Sequence, residues 1–139
     1  MRAVAVTALV AAIAALALTG CGKESRHDVK QAVQQLSSIS SEGAIMADDL
    51  ARDRTKTTFV RVHGEELSSQ AEHEAEKLND APVTADLHAK VERAIELSSQ
   101  IGGAIDDLRV SPHDRAGARQ TERDLRRFAQ EASDLADTL

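Results

Sequence analysis

The feature that most constrains this chain is a set of apolar seams spaced alternately by three and four residues. Val29, Ala32, Leu36, Ile39, Gly43, Met46 and Leu50 form one such series. Leu87, Val91, Ala94, Ser98, Ile101, Ile105 and Leu108 form another, richer in large side chains. A third runs through Ala118, Thr121, Leu125, Phe128, Ala132, Leu135 and Leu139. This spacing places each series on one side of an α-helix and is incompatible with the two-residue period of a strand. The chain has no tryptophan or tyrosine and only Phe59 and Phe128 as aromatics, so the core is built from Leu, Ile, Val and Ala. Side chains of that kind suit closely packed helices better than a sandwich of aromatic and β-branched strands.

The register of the first seam continues, poorer in apolar residues, through Asp53, Thr57, Val60, Gly64, Leu67, Ala71, Glu74 and Leu78. A single helix over residues 26–79 would extend roughly 80 Å at 1.5 Å per residue, far beyond its neighbours. A break between Arg52 and Thr58 is the favoured reading, because Thr55, Thr57 and Thr58 lower helix propensity there. Asn79-Asp80-Ala81-Pro82 is the clearest interruption, with Thr84 expected to cap the third helix. Ser25 is expected to cap the first, and Ser111 the fourth, with Pro112 at its first helical position. The expected architecture is all-α, an up-down-up-down four-helix bundle; a three-helix bundle with one long first helix is the alternative. Gly102-Gly103 interrupts the strongest seam, where close helix contact or a kink is expected.

A short segment recurs: Glu66-Leu67-Ser68-Ser69-Gln70 matches Glu96-Leu97-Ser98-Ser99-Gln100, and Leu36-Ser37-Ser38 echoes both. Three short matches do not make a solenoid. They fit amphipathic helices that reuse the same small residues, or an old duplication of a helical hairpin.

The N-terminus has a different character. After Arg2, residues Ala3 to Leu18 carry no charge and only Thr7 as a polar interruption, and the run closes on Leu18-Thr19-Gly20-Cys21. It is slightly short of the ~20 apolar residues that cross a bilayer, rich in alanine, and ends in small residues at a cut site. This stretch resembles the signal peptides of bacterial lipoproteins, whose lipobox has the same Leu-small-Gly-Cys form. The resemblance implies removal of residues 1–20, lipid on Cys21 as the new N-terminus, a lipidated tether over 21–24 and a helical domain over 25–139. It also implies a cell-membrane location on the extracytoplasmic face. Gly22 is not the aspartate associated in that class with inner-membrane retention, so an outer-membrane destination is open in a two-membrane cell. Cys21 is the sole cysteine, so no internal disulfide exists.

Without residues 1–20 the 17 Lys and Arg fall to 16 against 23 Asp and Glu, a net charge of −7. Such an acidic body, with no aromatic stacking platform, argues against nucleic acid as a partner. The candidate chemistry is sparse. Glu24-x-x-His27 straddles the tether, and His63-x-x-Glu66 with Gln70-x-x-His73 lies along one side of the second helix. His73 and His88 fall away from the seams, so no metal site, haem or other cofactor is expected. Asp48-Asp49 and Asp106-Asp107 fall at helix ends on expected exposed faces. No nucleophile constellation, phosphate loop or catalytic carboxylate pair assembles, which argues against an enzyme. The concentrated feature is Arg115, Arg119, Arg123 and Arg127, joined by Arg126, on one side of the fourth helix. It reads as a solvated face or as a docking stripe for an acidic partner. The expected function is a membrane-anchored envelope interaction or structural module; a small-ligand or metal-binding bundle is the alternative.

Overall fold

The computed structural model describes residues 25–139 with their side chains, and four helices account for them: α1 (Arg2–Ala51), α2 (Thr57–Asp80), α3 (Ala85–Val110) and α4 (Arg115–Asp137). The lipobox residues Leu18 to Cys21 and the tether to Glu24 lie outside the described residues. The helices form an antiparallel four-helix bundle, so the alternative with one long first helix falls. α1 packs most extensively on α4 and α2 on α3, while α1 and α3 meet across the centre and α2 and α4 do not touch. The cross-section is therefore a rhombus with α2 and α4 at its far corners.

The break after α1 is built by its last residues. The Arg54 N–H reaches back to the Asp49 carbonyl and the Asp53 N–H to the Leu50 carbonyl, with Asp53 at φ 61°. This is a Schellman ending with aspartate in the left-handed position that glycine more often fills. Arg52 and Arg54 both pair with Asp48, at 2.7 and 2.5 Å. Asp48 is thus drawn to 16% exposure, against its expected exposed setting. α2 opens on Lys56, in extended conformation at φ −87° and ψ 143°, followed by Thr57 as first helical residue. The backbone before Thr57 already suits a following proline, and the Thr57 N–H is one that no helix satisfies. Thr57→Pro is therefore expected to leave the denaturant midpoint nearly unchanged; loss of helical circular dichroism would contradict this ending of α1.

Three cap assignments need correction. Ser25 does not cap: its hydroxyl donates to the Pro82 carbonyl at 2.5 Å and ties the start of the described α1 to the α2–α3 turn. Thr84 occupies the cap position of α3 but donates to Asp86 instead of receiving a backbone N–H. α4 begins three residues later than expected. The Ser111 N–H is consumed by the end of α3 through Asp107, and Ser111-Pro112-His113-Asp114 closes as a turn through the Asp114 N–H. Asp114 is the cap, accepting from the Gly117 N–H at 2.9 Å; a carboxylate there is also favoured by the helix dipole.

Every residue of the α1 and α3 seams is buried, as are Val60, Gly64, Leu67, Ala71, Glu74 and Leu78 of α2. In α4 the buried set is Ala118, Leu125, Phe128, Ala132 and Ala136, with Thr121, Leu135 and Leu139 half-buried. Each fully buried large side chain contributes roughly 1.5–3 kcal/mol relative to exposure. The recurrent Leu-Ser pairs have a common role. Leu36, Leu67 and Leu97 are buried, and the serine that follows each sits at a helix–helix seam. Ser37 donates to the Ala129 carbonyl at 2.9 Å and Ser98 to the Ala71 carbonyl at 2.5 Å. The third, Ser68, lies beside Gly102, its hydroxyl 3.7 Å from where a Cβ would stand. Ser40 adds a bond to the Leu125 carbonyl at 2.7 Å. Buried hydroxyls are satisfied this way by the spare lone pair of a helical carbonyl, and only a small side chain lets the backbones come close enough.

The glycines divide by what they face. A Cβ on Gly43 would stand 3.1 Å from Leu125 Cδ1 and 3.2 Å from Ile105 Cγ1, and one on Gly64 only 2.8 Å from Arg109 Cγ. These two make room for neighbours. Gly103, by contrast, has nothing within 4 Å of that position, so the close contact expected at Gly102-Gly103 is not made there. Exposed mid-helix glycine costs about 1 kcal/mol relative to alanine. Gly103→Ala is therefore expected to raise the melting temperature by about 4 °C. No rise in a thermal melt would count against an exposed, regular helix at that position.

Candidate docking surface

Arg115, Arg119, Arg123 and Arg127 all project from the exposed side of α4, as does Arg126. Amphipathicity aims them: Leu125 and Phe128 turn into the core, and the arginines take the other side. Their partners differ. Arg115 reaches across to Asp53 of the α1–α2 turn at 2.9 Å. Arg126 pairs with Glu122 at 2.9 Å and Arg127 with Asp124 at 3.2 Å, and the Arg127 guanidinium lies 4.9 Å from the centre of the Phe128 ring. Arg127 thus shields the edge of the core with its stem and charge. Arg123 bonds only to the neutral Gln120 amide at 2.5 Å, and Arg119 has no ion pair among the described residues. Arginine in the first turns of a helix opposes its dipole; here Asp53 and Asp114 offset that at the start of α4. The stripe is thus one exposed surface on which Arg119 and Arg123 carry the unbalanced charge.

The histidines are scattered. His63, half-buried, bonds to Glu42 of α1 at 2.8 Å, lies 3.6 Å from Glu66 and stacks on Phe59 with ring centres 5.0 Å apart. It fastens α2 to α1. His73 and His88 stand in solvent beside Glu76 at 3.7 Å and Glu92 at 3.2 Å. Among the described residues no group of three or more His, Cys, Asp or Glu is arranged to hold a metal ion. A cleft of about 630 Å³ opens between α1 and α2, lined in part by Asp28, Gln31, Gln35, Glu74, Lys77 and Asp80. The buried Glu74 carboxylate at its wall accepts from Lys77 at 2.7 Å, so its charge is matched within the cleft.

Charges also bind the bundle across helices. Arg93 of α3 pairs with Glu96 and with Glu131 of α4, and both hold its proton more firmly than usual. Asp86, on the first turn of α3, accepts from Thr84 and pairs with Arg26 of α1 at 2.5 Å. The Thr84 hydroxyl above all, helped by its own backbone N–H and the Arg26 charge, holds its carboxyl below the usual range against the opposing effect of desolvation. A depressed folded value means that the contribution is present above the unfolded aspartate value, about 3.9, and is lost as pH falls through the lower folded value. Asp86→Asn is therefore expected to shift stability slightly at pH 7 and not at pH 2. An equal shift at both would show that the ionised carboxylate is not what acts.

Sequence reasoning missed the opposite corner. Phe59 and Val62, both more than half exposed, lie one turn apart on α2, amid Glu65, Glu66, Glu72 and Glu76. The signal was present, since neither residue falls on the α2 seam. Comparison with known family models, with curated proteins and with solved structures finds no match to this chain. Among the described residues, no helix is long and apolar enough to cross a membrane.

Proposed function

We propose that this chain is a lipid-anchored interaction module of the bacterial cell envelope. Cys21 holds it to the extracytoplasmic face of a membrane, and the exposed face of α4 docks an acidic protein partner. The observation that carries the docking half is the unbalanced charge of Arg119 and Arg123 on an otherwise acidic body. The seams are committed to the core, so specificity has to come from an exposed surface. A basic patch on a body of net charge −7 steers an acidic partner and turns away basic ones, an attraction that weakens with salt. Anchoring is supported by the apolar run from Ala3 to Leu18 and the Leu-Thr-Gly-Cys ending. No nucleophile constellation, phosphate loop or catalytic carboxylate pair can be assembled from the sequence, and the module is read as a non-enzyme.

The test is crosslinking in intact cells followed by recovery of the anchored chain. The double reversal Arg119→Glu with Arg123→Glu is expected to preserve the helical spectrum and to cut recovery of crosslinked partners. Equal recovery from both chains would reduce the stripe to a solvated face.

A further inference from the structure

Resting on the docking reading of α4, we propose that the acidic partner of its arginine face is the α2 face of a second copy of this chain. Over the first three turns of the two helices the faces complement one another in charge, in apolar content and in height. On the exposed side of α2, Glu65, Glu66, Glu72 and Glu76 have no lysine or arginine partner among the described residues; Glu66 has His63 at 3.6 Å and the Gln70 amide at 3.5 Å, and Glu76 has His73 at 3.7 Å. Across the bundle, Arg119 and Arg123 lack an acidic partner among the described residues. The α2 side thus leaves four carboxylates unanswered against one exposed cation, Arg61, and the α4 side leaves two arginines. Beside the carboxylates, Phe59 and Val62 expose apolar surface that arginine stems and guanidinium planes cover well.

The heights agree because α2 and α4 start at the same end of the bundle. The Arg115–Asp53 pair places the first residue of α4 against the turn that leads into Thr57. Glu65 and Arg123 each lie eight residues beyond the first residue of their helix, about 12 Å along it at 1.5 Å per residue. Two copies standing side by side in the same orientation therefore bring Arg123 level with Glu65, and Arg119 level with Phe59 and Val62. Copies anchored at one end to one membrane stand in that orientation.

Geometry also fixes the type of assembly. α2 and α4 occupy opposite corners and do not touch. A pair of copies cannot satisfy both faces of both molecules at once, so the contact is heterologous. In a pair one copy keeps its acidic face free and the other its basic face, and growth gives a row rather than a closed two-fold dimer.

Three forms of the full chain in detergent test this: wild type, Arg119→Glu with Arg123→Glu, and Glu65→Arg with Glu66→Arg. Their mass is measured by light scattering at about 0.05 M and about 0.5 M salt, where charge screening differs several-fold. The wild type is expected to be oligomeric at low salt and to revert to monomer at high salt. Each variant alone has two faces of like sign and is expected to stay monomeric in both. An equimolar mixture of the variants presents complementary faces again and is expected to recover the oligomer at low salt. Circular dichroism checks folding, and a reversal that unfolds is replaced by the neutral Arg119→Gln with Arg123→Gln. A wild type that is monomeric at low salt, variants that assemble like wild type, or a mixture that stays monomeric would overturn the proposal. If the wild type is monomeric while the arginine reversal still reduces capture of other proteins in cells, the docking reading stands and the self-partner falls.

Discussion

Ile105→Ala is expected to destabilise the bundle in the upper half of the ~2–5 kcal/mol range found for buried large-to-alanine changes. Ile105 is fully buried, at 0% exposure, toward the C-terminal end of α3. It lies against two glycines: Cβ atoms built on Gly43 of α1 and Gly64 of α2 would stand 3.2 and 3.6 Å from its side chain. Isoleucine thus fills space that two facing helices leave empty. Neither glycine has a side chain that could swing into the hole, so the cavity collapses poorly and its cost is retained. Equilibrium denaturation reads this as a fall in midpoint with an unchanged slope. A second substitution isolates the contact. Gly43→Ala in the wild type forces a methyl to 3.1 Å from Leu125 and 3.2 Å from Ile105, and is expected to destabilise. In the Ile105→Ala background one of those clashes is gone. The two changes together are expected to cost less than their sum by about 0.5–3 kcal/mol. Strict additivity would show that the two residues do not share the space described.

Cys21→Ala is expected to abolish lipid labelling of the chain and to block removal of residues 1–20. Each buried methylene of an acyl chain contributes about 0.8 kcal/mol, and one chain alone anchors only marginally. A lipoprotein cysteine carries lipid on both its sulfur and its amine, so the whole anchor depends on one sulfur atom and the cut that frees its amine. Loss of lipid is therefore expected to be complete, and any variant left in the membrane to be held by the uncleaved residues 1–20. Membrane partition that survives in the variant, with a mature N-terminus elsewhere, would refute the lipid anchor and leave the bundle reading untouched. Outright loss of the variant from cells would be resolved by N-terminal sequencing of what remains in the membrane fraction.

The buried side of each helix was legible in the sequence alone, while four helices with a break between α1 and α2 were its favoured reading over a three-helix alternative. A seam repeats every three to four residues, and burial of that side follows wherever the chain finds any partner. Thus Val29 to Leu50 and Leu87 to Leu108 were legible residue by residue. Caps were less so, because several neighbouring hydroxyls and carboxylates compete for the same N–H groups. Ser111 lost to Asp114 once its own N–H was committed to the end of α3. The tertiary structure alone decided which helices are neighbours, since a seam states that it is buried but not against what. It decided that Gly43 and Gly64 make room while Gly103 does not, a matter of side chains 41 to 82 residues away in the chain, Ile105 and Arg109 among them. It placed α2 and α4 at opposite corners, turning separate acidic and basic stretches into two opposed faces. Local spacing encodes the helix; the fit of distant side-chain volumes chooses the neighbour, and that choice sets where the charges point.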